Sequence, residues 1–116
     1  MLKVYGIPNC NTMKKAFDFL KSKNIPFEFH DYKKKGLSIE QLNHFLDKIS
    51  SDVVLNKQGS TFKQLNDELK GSLQKEENLK SFLLEKTSAI KRPIFEQNGQ
   101  YLAGFDSDKL ENWLNT

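Results

Sequence analysis

The first thirty or so residues set a strand, a helix and a second strand in succession, and no other feature restricts the fold as much. Leu2-Lys3-Val4-Tyr5 reads as a strand, and Gly6-Ile7-Pro8-Asn9-Cys10-Asn11-Thr12 breaks it, with Gly and Pro as punctuation. A helical pattern then runs from about Asn11 to Lys23, with Ala16, Phe17 and Leu20 spaced to share a face. After a turn at Asn24-Ile25-Pro26, Phe27-Glu28-Phe29-His30-Asp31-Tyr32 alternates apolar and polar, the period of a half-buried strand. Such a βαβ unit makes its two strands parallel.

Ser38, followed three residues on by Gln41, is a capping box, and Leu42, Phe45, Leu46 and Ile49 supply the apolar face of the helix it starts. From Ser50 to Ser88 the chain keeps helical character in short pieces divided by Gly59 and Gly71, with no strand signal. Strand character returns at Pro93-Ile94-Phe95-Glu96. The Asn98-Gly99 dipeptide that follows is the strongest hairpin signal in the chain, and Tyr101-Leu102-Ala103 is the return strand. Asp106 is a natural N-cap for a last helix using Leu110, Trp113 and Leu114. The order β-α-β, helical middle, β-β-α is the thioredoxin-type α/β layout, with a four-stranded mixed sheet. Residues 1–116 are expected to form a single domain with a helical subdomain inserted at about 37–90, because a stretch that long is not a connection.

Bulk properties narrow the function. The net charge of +3 is spread among interleaved lysines and carboxylates, and Lys33-Lys34-Lys35 beside Asp31 reads as a solvated loop, so no direct DNA binding is expected. His30 and His44 lie at no ligand spacing from each other or from Cys10, so no metal site is expected. His44 reads as a surface or boundary residue. No apolar run is long enough to span a bilayer, and the N-terminus lacks the basic and then apolar tract of a signal peptide. A cytoplasmic protein is the expectation, and a lone cysteine, unable to form an internal disulfide, fits a reducing compartment.

Cys10 is the residue with chemistry to offer. At a helix start it meets unpaired backbone N–H groups and the positive end of the helix dipole, and both favour the nucleophilic thiolate. The plainer reading of any single cysteine is an inert core residue, and the turn placement weighs against it.

In their order and spacing, several segments resemble the arsenate reductase-like (ArsC/Spx) family of the thioredoxin fold. They are residues 5–12, Phe29-His30-Asp31-Tyr32, Leu55-Asn56-Lys57-Gln58-Gly59, Ile90-Lys91-Arg92-Pro93-Ile94 and Gly104-Phe105. Within that family the chain is most similar to small proteins proposed to be glutathione-dependent thiol reductases. The resemblance implies that Cys10 is the attacking thiolate, that Arg92 lies beside it, and that Pro93 is cis. Asn11, Thr12, Lys14, Lys57 and Pro93 are the candidate substrate-binding residues. Thr12 reads equally well as a helix-entry residue and Lys57 as a solvent-facing one. His30 and Asp31 carry no evident chemistry, and a strand-end hydrogen bond tying down the next loop suffices to explain them. Two departures matter. Met13 makes Cys10-Asn11-Thr12-Met13 something other than a Cys-x-x-Cys dithiol, and Asn56 and Gly104 stand where glutaredoxin-coupled arsenate reductases carry two further arginines. The resulting expectation is a thiol–disulfide oxidoreductase with no bound cofactor and glutathione as co-substrate. Its partners would be a glutathionylated thiol and glutaredoxin. The alternatives are an arsenate reductase and an Spx-like regulator docking on the RNA polymerase alpha C-terminal domain.

Overall fold

In a computed structural model describing residues 1–116, β1 (Leu2–Gly6) and β2 (Phe27–Asp31) are parallel neighbours, joined through the helix α1 (Asn11–Ser22). The other edge of β1 pairs antiparallel with β3 (Ile94–Gln97), which pairs antiparallel with β4 (Gln100–Ala103), giving the order β2-β1-β3-β4. Asn98 and Gly99 turn the hairpin at φ of 53° and 78°, left-handed values that these two residue types tolerate. The fold is thioredoxin-like. The remaining helices are α2 (Tyr32–Lys35), α3 (Ile39–Lys48), α4 (Ser51–Val54), α5 (Ser60–Lys63), α6 (Asp67–Ser72), α7 (Glu76–Glu85) and α8 (Ser107–Leu114). None is long and apolar enough to cross a membrane.

Strand alternation decides which helices cover which face. Leu2, Val4 and Phe95 point to one side, where they are buried with Met13, Ala16 and Leu20 of α1 and Leu110 of α8. Tyr5 and Ile94 point to the other, against Leu42 and Phe45 of α3 and Leu79 and Leu83 of α7. The helical middle therefore forms one cover of the sheet.

Local signals were realised unevenly. Lys33-Lys34-Lys35, expected in a loop, form a helical turn, because the Asp31 carboxylate accepts the Lys33 N–H at 2.8 Å and caps it. His30 Nε2 lies 2.8 Å from the Gly36 carbonyl, so both residues tie down the strand end, as expected. The capping box is half made. Ser38 Oγ accepts the Gln41 N–H at 3.1 Å, but the Gln41 side chain turns to the sheet. There its Oε1 accepts from the Tyr5 hydroxyl (3.1 Å) and its Nε2 donates to the Tyr101 hydroxyl (3.2 Å). Gly71 lies inside α6 rather than dividing the helices. One strand-like contact does occur in the helical middle: Leu55 and Ile90 form an isolated antiparallel bridge. The flanking bonds are Asn56 N–H to the Ala89 carbonyl and Lys91 N–H to the Val54 carbonyl, each 2.8 Å. This closes the stretch from Leu55 to Ile90 onto itself beside the start of β3.

Candidate active site

Cys10 is the N-cap of α1, with extended backbone (φ −141°, ψ 133°), and its carbonyl accepts the Lys14 N–H at 3.0 Å. Thr12 and Met13 are therefore the second and third helical residues, whose backbone N–H groups have no partner within the helix. Gly6 lets the helix start approach the sheet. A Cβ there would lie 2.5 Å from Met13 Sδ and 2.7 Å from Met13 Cε.

Arg92 reaches the same place from the loop before β3. The Arg92–Pro93 peptide bond is cis. Arg92 Nη1 donates to the Ser88 carbonyl at 2.9 Å, which anchors one side of the guanidinium, while Nε is buried and has no partner within the protein. Burial of the Cys10 sulfur raises its pKa and is the largest single influence. The backbone N–H groups of Met13 and Thr12, with the hydrogen bond and charge of Arg92, together outweigh it and hold the thiol below its ordinary value. The Cys10 side chain makes no capping bond of conventional geometry; the donors beside it favour the thiolate because the charged sulfur is the stronger acceptor.

The thiol opens into a depression of about 300 Å³ lined by Cys10, Thr12, Asn56, Lys91, Arg92, Gly104 and Phe105. Of the candidates named from the sequence, Cys10, Thr12 and Arg92 come together here. Pro93 is buried behind them, its carbonyl accepting the Gly104 N–H at 2.8 Å and so fixing one wall. Asn11 and Lys14 lie exposed on α1, outside the lining. Lys57 is elsewhere: it pairs with Asp52 at 3.0 Å and lines a separate cavity within the helical insertion. Asn56 and Gly104, the two arginine-replacing positions, do meet the thiol's depression. Sequence reasoning missed Lys91 and Phe105, although each sits inside a segment that carried the family resemblance. No group of three His, Cys, Asp or Glu side chains is placed to hold a metal ion.

Fold and thiol placement together define a thioredoxin-like protein with one cysteine at the start of α1. More narrowly, the chain belongs to the ArsC family, whose family model matches residues 5–113. It is 40% identical over 111 residues to an uncharacterized protein of Haemophilus influenzae, covering 96% of each chain. It is 28% identical over 119 residues to the global transcriptional regulator Spx of Enterococcus faecalis, covering 98% of this chain and 86% of that one. Among solved structures it resembles a YFFB protein (TM-score 0.90, 36% identity, 97% of each chain). It also resembles an arsenate reductase (ArsC) related protein from Brucella melitensis (TM-score 0.78, 35% identity, 99% of this chain and 95% of that one).

Proposed function

We propose that this protein is a thiol–disulfide oxidoreductase that uses Cys10 as its single nucleophile and glutathione as co-substrate. Membership of the ArsC family, with an arsenate reductase-related protein among its structural relatives, supports thiol-based redox chemistry. The observation that carries the reading is the convergence of the Thr12 and Met13 N–H groups and the Arg92 guanidinium on one sulfur, strong enough to outweigh its burial. The Cys10 thiolate attacks the glutathione sulfur of a mixed disulfide. A Cys10–glutathione bond forms, and the substrate leaves as a thiolate that takes a proton from water. A second glutathione thiolate then attacks the adduct, releasing glutathione disulfide and restoring the Cys10 thiolate. Resolution falls to an external thiol because the chain has no other cysteine.

The test is turnover of a glutathionylated peptide with glutathione, together with mass spectrometry of the trapped enzyme. Wild type should carry one glutathione on Cys10, and Cys10→Ser should lose both adduct and turnover. Full turnover by Cys10→Ser refutes the reading.

Arsenate reduction by the same nucleophile is the second reading, favoured by the Brucella relative's description. Against it, the wall holds Asn56 and Gly104, leaving Arg92 as the only arginine in the lining. A direct arsenate turnover assay separates the two. The Spx relative motivates a third arm, a pull-down against the polymerase alpha C-terminal domain.

A further inference from the structure

The depression around Cys10 has an unusual charge balance. Its lining contains two cations, Arg92 and Lys91, and no carboxylate. Arg92 is committed at Nη1 to the Ser88 carbonyl. Lys91 is not committed: the ion pairs of this protein are Lys23–Glu111, Lys57–Asp52 and Lys80–Glu76. Its backbone is fixed, since the Lys91 N–H donates to the Val54 carbonyl next to the Leu55–Ile90 bridge. Its side chain lies over Gly104. A Cβ on Gly104 would stand 3.4 Å from Lys91 Cε and 4.0 Å from Nζ, at a backbone φ of 84° that favours glycine anyway. The volume that a side chain at 104 would claim is thus the volume in which the Lys91 ammonium end rests.

Lys91, Gly104 and Phe105 also wall a second depression of about 270 Å³, whose lining includes Asp106 and Lys109. Lys91 is therefore shared by two adjoining hollows, one of which holds the thiol. A compact oxyanion would occupy little of this length, whereas an extended ligand reacting at Cys10 would pass the ammonium. Asp106 is the one carboxylate on that path, and its Oδ1 is engaged as the α8 cap, accepting the Lys109 N–H at 3.0 Å.

We infer that Lys91 is the second anion-binding group of this site, seating a carboxylate of an extended disulfide across Gly104 while Arg92 faces the reacting sulfur. The inference rests on the reading of Cys10 as a nucleophile toward disulfides. It makes the substrate class an aliphatic disulfide carrying a carboxylate a few bonds from the sulfur, as a peptide thiol does.

The test uses a matched pair of disulfides, bis(carboxyethyl) disulfide and bis(hydroxyethyl) disulfide, differing only in carboxylate against hydroxyl. In each, the Cys10 thiolate bonds to one half and the other half leaves as a thiolate. The readout is the ratio of the two second-order rate constants, in which the thiolate fraction cancels. Wild type should prefer the anionic probe, and the preference should shrink with salt. Lys91→Gln should cut the ratio about fivefold, as expected for a partly exposed charge contact of about 1 kcal/mol. Lys91→Arg, which keeps the charge, should retain the preference, and Lys91→Glu should reverse it. A ratio unchanged in Lys91→Gln, or a fall common to both probes, overturns the assignment of Lys91. If the preference behaves as stated but glutathione turnover is absent, the glutathione reading fails and the anion-binding role stands.

Discussion

Gly6→Ala isolates the contact that seats the thiol-bearing helix. Gly6 has no positive φ, so the backbone itself accepts alanine. Without a steric conflict the substitution would stabilise the protein by about 0.4–1 kcal/mol through the unfolded state. The conflict is specific. The new methyl would lie 2.5 Å from Met13 Sδ, where ordinary contact begins near 3.4 Å, so the sulfur would have to withdraw by about 0.9 Å. Met13 has no accessible surface and is packed among Leu2, Val4, Ala16 and Leu20, so it cannot swing into solvent. The new methyl would also be in van der Waals contact with Arg92 Cβ, at 3.4 Å. The expected sign is therefore reversed, to a loss of about 1–3 kcal/mol from overpacking. Urea unfolding at a shared m-value reads it, with a double-mutant cycle against Met13→Ala. Met13→Ala alone should cost about 2–5 kcal/mol as a cavity, and the double variant should cost no more than that. A neutral or stabilising Gly6→Ala, or penalties that simply add, would refute the argument.

Arg92→Ala should raise the Cys10 pKa above the wild-type value, read from thiolate absorbance against pH, because it removes both a hydrogen bond and a charge that favour the thiolate; an unchanged value would remove Arg92 from the account. Stability should fall at alkaline pH. Burial, followed by the Tyr101, Glu96 and Glu28 charges, pushes Tyr5 up to about 12, and burial also raises Tyr32. The folded chain thus holds these protons longer than the unfolded chain. The Tyr5 contribution is complete below about pH 10 and is lost toward pH 12. Tyr5→Phe should flatten that slope, and an equal slope in both proteins contradicts it. Asp31→Ala should lower the urea midpoint by the equivalent of about 0.5–2 kcal/mol through loss of the α2 cap, and an unchanged midpoint would show that the cap is idle.

The sheet was legible because its signals are local. Alternation in β2, the Asn98-Gly99 turn and the Asp106 cap each act within a few residues, and each appears in the structure. The site was legible where a local element makes it: a cysteine at a helix start is visible in a string of letters. What stayed hidden depends on closure of the insertion. Nothing near Leu55 or Ile90 announces a bridge between residues so far apart, yet that bridge brings Asn56 and Lys91 to the thiol. The same closure turns Lys57, the immediate neighbour of Asn56, toward Asp52 and a different cavity. The Gln41 side chain shows the same limit on a smaller scale, since two tyrosine hydroxyls from distant strands outbid its local capping role.

Cysteine is a poor residue with which to begin a helix, and that bears on how the thiol is activated. Ser, Thr, Asp and Asn at an N-cap accept the N–H of the second or third helical residue, a contact worth about 0.5–2 kcal/mol. The Cys10 side chain makes no such bond of conventional geometry, leaving the Thr12 and Met13 N–H groups available. Ionisation makes the sulfur a far better acceptor, so these groups cap it more strongly once the proton has left, and they lower the pKa for that reason. Thiolate formation and strengthening of the helix cap are then coupled. Cys10→Ser should accordingly be more stable than wild type at pH below the wild-type thiol pKa, by up to about 1 kcal/mol. The sign of the pH dependence follows. A depressed folded pKa adds stability as pH rises through it toward the unfolded value of about 8.5, so the advantage of serine should shrink over that window. Urea unfolding of both proteins across that range reads the difference. A gap constant with pH would mean that the caps and the thiolate are uncoupled. A serine variant less stable at every pH would mean that Cys10 is held by packing rather than by chemistry.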